Sequence, residues 1–345
     1  MRRIVVGSAL AALALIGNGI VHAATEWLYI GNNKAGTVSV IEVPGFRVIR
    51  EIDVMPDQPD RRASGATFAD DIVLPADGSR LYVSRAGLRD VAAFELPSAK
   101  LLWRVPTVGM ADHFALSPDG NRIAVSIYNE DHALVIDTSK GEVAGRFATC
   151  SGPHGMRFSA DGARIYTGCM IGDELMVTDA QSLTPIRRIR FDEGVRPFDL
   201  DASETRAWVQ LTRMHGFVEV DMRTGRIAKT VHLPVPEGVR AQPDFPHTAH
   251  HGLALVPGGR HLCIAGTVAD YAAVLAVPSL DLLATAPVGR EPSWVIPSLD
   301  GRYCYVSSRK GDTVSVIAVP GGEEVARIAV GAYPQRMWSV KASSR

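Results

Sequence analysis

The sequence predicts an all-β protein, a seven-bladed β-propeller of four-stranded antiparallel blades, on three observations. Seven polar residues, Asp70, Asp112, His154, Arg196, His251, Ser293 and Gln335, follow one another at steps of 42, 42, 42, 55, 42 and 42 residues. The residue two places after each is apolar: Ile72, Phe114, Met156, Phe198, Leu253, Val295 and Met337. Between them, β-rich runs alternate with tight turns. A period near 40 with several short strands per unit is the signature of a propeller.

Taken in chain order, the first residues stand apart from the repeat. Arg2 and Arg3 precede an apolar run from Ile4 to Ile16, and Val21-His22-Ala23 places small residues at the −3 and −1 sites of a secretory cleavage. Residues 1–23 are therefore expected to be a signal peptide, and 24–345 a single propeller domain, periplasmic or secreted. The apolar run is too short to cross a bilayer, and no membrane span is expected after cleavage.

The segment Trp27-Leu28-Tyr29-Ile30 reads as a second strand with no first strand before it. At the other end, Tyr333–Val340 reads as a first strand with nothing after it. Together they complete one blade, which closes the ring and leaves no free sheet edge there. The other first strands begin near residues 68, 110, 152, 194, 249 and 291. In the clearest unit, a strand leads into the turn Ser159–Gly162 and a second strand follows; the turn recurs as Pro75–Gly78, Ser117–Gly120, Val256–Gly259 and Ser298–Gly301, and degenerates to Asp201–Glu204. Third and fourth strands follow, as in Thr313–Ile317 and Glu324–Val330 around Pro320-Gly321-Gly322.

Two connections carry extra length, Met55 to Gly65 and a stretch within Pro234–Ala249. Both join one blade to the next, on the face where the first strands start. Long loops in compact folds are commonly binding loops. Of the four cysteines, Cys150 and Cys169 fall nearly opposite across one hairpin, so a disulfide between them is open. Cys263 and Cys304 occupy second strands of neighbouring repeats at offsets of different parity, which reads as two buried thiols. Hydrophobic residues make up 46% and charged residues 21%, with a net charge of −1 and no basic block. That balance disfavours nucleic acid as a partner.

The runs Ser117-Pro118-Asp119-Gly120-Asn121-Arg122-Ile123-Ala124-Val125-Ser126, Ser298–Ser307 and Gly311-Asp312-Thr313-Val314-Ser315-Val316-Ile317-Ala318-Val319 resemble the YVTN-repeat, YncE-like propellers. The resemblance covers essentially the whole mature chain and implies the fold. The wider group includes lactonase-like enzymes, haem-d1-binding propellers, antibiotic-inactivating lyases and proteins with no known catalysis.

In a propeller the first strand of each blade lines the axial channel, so the seven polar residues should converge at its mouth as a ligand-binding ring. A divalent metal would find imidazole and carboxylate ligands in Asp70, Asp112, His154 and His251, with His113, His247 and His250 nearby as alternatives. An anionic small molecule would pair with Arg196, and His154 would act as general acid or base with Asp112 orienting it. That suits a lactonase-like hydrolase or a lyase working through His154, Arg196, His251 and Asp112. A haem or quinone would take His251 or His154 as ligand or proton donor. A scaffold for another periplasmic protein would instead use the rim. Within Phe245–Gly252, alternation sends His251 to the channel and His250 into the blade interface. Trp294, next to Ser293, is placed to stack on a ligand.

Overall fold

The computed structural model describes residues 26–64, 66–239 and 248–342; the expected leader and His247 lie outside them. Seven four-stranded antiparallel sheets are present among these residues. Blade 1 is closed as expected: Pro334–Lys341 pairs with Glu26–Asn32, followed by Thr37–Val43 and Arg47–Asp53. The inner strands of blades 2 to 7 are Ile72–Val73, Ala111–Leu116, Pro153–Phe158, Val195–Leu200, Leu253–Leu255 and Pro292–Pro297.

Burial follows from the radial arrangement. Second and third strands are covered on both faces by neighbouring blades, so Arg122–Ile127 and Thr37–Val43 are almost wholly buried. Outer strands such as Glu142–Ala148 face solvent and regain polar character. The apolar core is accordingly divided into clusters that sit between adjacent blades. One joins Val38, Val40 and Ile52 of blade 1 to Leu81, Val83 and Phe94 of blade 2. Another joins Leu28 and Ile30 to Tyr305, Val314 and Val316 across the closure. Trp208 is fully buried, and Trp27 and Trp103 pack partly buried against such clusters.

Both cysteine pairs are oxidised. Cys150–Cys169 bridges the first hairpin of blade 4, with Cα atoms 5.9 Å apart. Cys263 and Cys304 are not thiols: they are joined, Cα to Cα 6.5 Å, and staple blade 6 to blade 7. Their opposite parity is what such a bridge requires, because one interface is built from the right-hand face of one blade and the left-hand face of the next. The bridge closes a separation of 41 residues. On chain entropy it stabilises by up to about 4 kcal/mol. Changing both Cys263 and Cys304 to alanine is expected to lower the melting temperature by at least about 2 °C, read by calorimetry. An unchanged melting temperature would show that the staple adds nothing to the closed ring.

Candidate functional site at the channel mouth

The inner strands do not enter their ladders evenly. In blade 2, Asp70 N donates to Ser84 O while Ser84 N donates to Asp71 O, so two residues face one. Blade 6 repeats this with His251 and Gly252 opposite Ala265. Register shifts fall at the same place in blades 3, 4, 5 and 7, between Ala111 and Phe114, Pro153 and Met156, Val195 and Phe198, and Pro292 and Trp294. These are β-bulges, which re-aim side chains and end regular pairing. Their consequence is that the ring residue and the one after it both turn to the channel. A second layer therefore lies under the ring, made of Asp71, His113, Trp294 and Arg336 with the small Gly155, Pro197 and Gly252. Gly252 has to be glycine: a Cβ there would stand 2.5 Å from Val295 N.

Six of the seven ring residues, Asp70, Asp112, His154, Arg196, His251 and Gln335, line one cavity of about 310 Å³. Ser293 does not reach it; its side chain is buried, and its carbonyl accepts a hydrogen bond from His251 Nδ1 at 2.9 Å. The ends of both long connections, Thr67 and Thr248, also line the cavity. His250 sits in the interface of blades 5 and 6, its ring against His215 and Tyr271.

At the floor, His113, His154 and His251 are all buried, and their donor nitrogens lie within 4.8 Å of one another. His113 Nε2 and His154 Nε2 are 3.0 Å apart. His113 also belongs to a second such group with Asp70 and Asp112. Two of the imidazoles are held from behind. The Ser293 carbonyl takes His251 Nδ1–H, which leaves Nε2 as the free nitrogen. Asp71 Oδ2 stands 3.4 Å from His113 Nδ1, and Arg336 Nε donates to that same nitrogen at 3.2 Å. Asp71 is itself fixed by the backbone N–H groups of Ile72 and Phe114, each at 2.7 Å. With Nδ1 accepting from Arg336, neutral His113 carries its proton on Nε2; Asp71 is the carboxylate placed to orient the other tautomer, whose proton is on Nδ1. Asp112 lies 3.9 Å from His113 Nε2.

Burial, reinforced by the neighbouring imidazoles and by Arg196 and Arg336, holds the pKa of His154 well below its usual range. His251 is depressed likewise, by burial and then by Arg309 and Arg196. Burial and Arg336 also lower His113. These shifts all favour the neutral form of the three imidazoles. Burial and the facing Asp70 carboxylate push Asp112 well above an ordinary carboxyl. Asn33 Nδ2 bridges this region, donating to Asp70 Oδ1 at 2.5 Å and to Gln335 Oε1 at 3.1 Å. Burial brings Arg196 down to about 10; its Nε donates to Thr212 Oγ1, and Nη1 meets Met170 Sδ.

In the sequence His113 stands out only as an alternative ligand, and Asp71, Arg336, Asn33, Tyr128, Met170 and Arg309 do not stand out. Two signals were present. The position after each ring residue carries Asp71, His113 and Arg336 in otherwise apolar strands. The position sixteen residues after each ring residue reads Ala86, Tyr128, Met170, Thr212, Thr267 and Arg309, with Asn33 as the blade 1 equivalent. It forms the upper wall, and five of these seven residues line the cavity.

Comparison with known proteins agrees with this architecture. A family model described as "Lactonase, 7-bladed beta-propeller" matches residues 18–159, about two fifths of the chain. No curated protein sequence matches it. Among solved structures, Kuenenia stuttgartiensis hydrazine synthase is similar with a TM-score of 0.52 and 19% identity, over 73% of this chain and 96% of that one. Dihydro-heme d1 dehydrogenase NirN in complex with DHE is similar with a TM-score of 0.61 and 13% identity, over 90% of this chain and 74% of that one. At these identities the two structures speak for the fold alone, and the chain is a seven-bladed propeller with partial similarity to the lactonase family.

Proposed function

We propose that this propeller binds one divalent transition-metal ion at the floor of its channel mouth, on His113, His154 and His251, and a small ligand in the cavity above. The observation that carries the reading is the convergence of three buried, neutral imidazoles. Two ligands on one ion at 2.0–2.1 Å stand about 3 Å apart, which is the His113–His154 separation. Imidazole suits zinc, copper, iron and nickel better than magnesium or calcium. Asp112 is placed to add a carboxylate from the cavity side. The Ser293 carbonyl behind His251 is the outer-shell pattern that orients a metal-binding histidine; His113 would join it in the tautomer whose Nδ1–H turns to Asp71, with Arg336 Nε displaced from that nitrogen and Nε2 freed for the ion. A haem or quinone is favoured less, because the imidazole nitrogens face one another and none stands alone toward the cavity.

Metal analysis of the purified protein tests this; about one equivalent of a transition metal is expected, and none after gentle purification with metal resupplied would remove the reading. Asp71→Asn keeps the shape but weakens the acceptor behind His113. It is expected to lower metal affinity about 10–100-fold, measured by competition with a chromophoric chelator. An affinity within twofold of wild type would deny Asp71 that role.

A second reading, hydrolysis of a small lactone or ester, is favoured by the partial family match and by the Asp70–Asp112 pair beside the metal ligands. A metal ion there would polarise a carbonyl oxygen as a Lewis acid. Activity against a lactone panel that survives His154→Ala would remove it. Export to the periplasm or beyond is part of the proposal, supported by two disulfides that an oxidising compartment would maintain.

A further inference from the structure

Below the second layer the channel opens again on the opposite face, into a separate cavity of about 160 Å³. Its walls are aromatic, from Phe158, Phe198, Trp294 and Trp338, with Arg157 at the side and Arg336 at the inner end. The space exists because the second layer is uneven: Gly155 and Pro197 leave open what Trp294 and Arg336 fill on the other side. A Cβ on Gly155 would meet only ordinary contacts, at 3.8 Å from Phe198 Cε1 and Pro197 Cα. The glycine is therefore not required by packing, and its effect is to keep the cavity empty.

Arg336 is the chemical feature of this cavity. Its side chain is 13% exposed, and its Cζ lies 3.4 Å from the centre of the Trp294 ring. Nε is given to His113 and Nη2 lies 3.3 Å from Asp71 Oδ2. Among the described residues no acceptor meets Nη1. Arg157 is engaged differently, its Nε donating to Phe198 O at 2.8 Å and Nη2 lying 3.4 Å from Asp199 Oδ1. A guanidinium over an indole, with Nη1 unengaged at the wall of a small chamber bordered by aromatic rings, presents a carboxylate receptor beside those rings.

We propose that this lower chamber is a second binding site, separate from the channel-mouth cavity, for a small aromatic monocarboxylate whose carboxylate meets Arg336 and whose ring lies among the aromatic walls. The size fits, since an apolar cavity of about 150 Å³ accommodates a benzene ring. The site does not depend on the metal reading, because no ligand group of the channel mouth lines it.

Calorimetric titration of the folded full chain with benzoate tests the proposal. Saturable binding with a dissociation constant of about 0.1–1 mM is expected for a ligand of this size. Benzyl alcohol, which lacks the charge, and acetate, which lacks the ring, are each expected to bind at least about 10-fold more weakly. Gly155→Val fills the chamber without touching Arg336 and should weaken benzoate at least about 10-fold while the melting temperature holds. Arg336→Gln should do the same, and Gly155→Val decides if that variant fails to fold. No saturation in the wild type up to about 10 mM, equal binding of benzyl alcohol, or unchanged affinity in Gly155→Val would each overturn the proposal. Metal content measured on the same samples separates the two sites: benzoate binding to metal-free protein sustains this site alone.

Discussion

Replacing His154 with alanine is expected to strip the channel mouth of its metal, from about one equivalent to a trace in the protein as purified. His154 stands between the other two imidazoles, its ring centre 4.2 Å from that of His113 and 5.3 Å from that of His251. Changes behind a ligand cost about 10–100-fold in metal affinity; removing the ligand itself also removes a coordinate bond and must exceed that. The loss should come without unfolding, because His154 lines the channel-mouth cavity and its Nδ1 meets no partner among the described residues. Alanine withdraws the 3.0 Å contact with His113 Nε2, and His113 itself lines the cavity that the substitution enlarges. The exposed His232 in the outer strand of blade 5 supplies the control, and His232→Ala should retain the wild-type metal content. A folded His154→Ala protein that keeps its metal would exclude the three-histidine site. A wild type that binds no metal would exclude it as well.

The residues that make this test possible were only half visible in the sequence, and the reason is local geometry. Blade count and closure were legible because strand alternation and the Ser-x-Asp-Gly turns are local signals, repeated often enough to fix the register. That register placed His154 and His251 at the channel. It placed His113 one residue out of phase, where strict alternation sends a side chain into the blade. The bulge at every strand entry breaks that alternation, and nothing in the composition of a single strand announces it. Cys263 and Cys304 illustrate a related limit. Parity within one blade argues against a pair, yet between two blades facing each other it argues for one. The upper wall of Tyr128, Met170, Arg309 and Asn33 shares the same register but carries no common chemistry, so no single residue type drew attention to it.

The largest loss of stability is expected from Arg85→Ala, at the foot of the first long connection. Arg85 ends the second strand of blade 2 and its side chain is fully buried. Its Nε and Nη2 fork onto the two oxygens of Asp90, each at 2.7 Å, and Nη1 donates to Asp57 Oδ1 at 2.7 Å and to Val54 O at 3.1 Å. Val54 and Asp57 begin the connection that returns through Phe68, whose N–H donates to Asn33 O and Oδ1, and so reaches Asp70. Without the guanidinium, the one cation left to the buried Asp90 among the described residues is Arg104, 3.7 Å away. Breaking a buried pair from one side costs about 3–5 kcal/mol, or about 5–7 °C in a chain of this length. Arg85→Met with Asp90→Leu removes both charges and should recover a substantial part, because no unpaired carboxylate is left behind. Burial alone would raise the Asp57 carboxyl, but the hydrogen bond and charge of Arg85, with Arg104 beside it, outweigh burial and hold the pKa below its usual value. That contribution is therefore complete above the unfolded carboxyl range and is lost as pH falls through the folded value. The gap between wild type and Arg85→Ala should accordingly narrow in acid. Melting curves from about pH 7 down to pH 3 would show it. Equal losses in the single and double variants would mean that the guanidinium stabilises through packing rather than charge, and would detach the connection's order, and with it the position of Asp70, from this ion cluster.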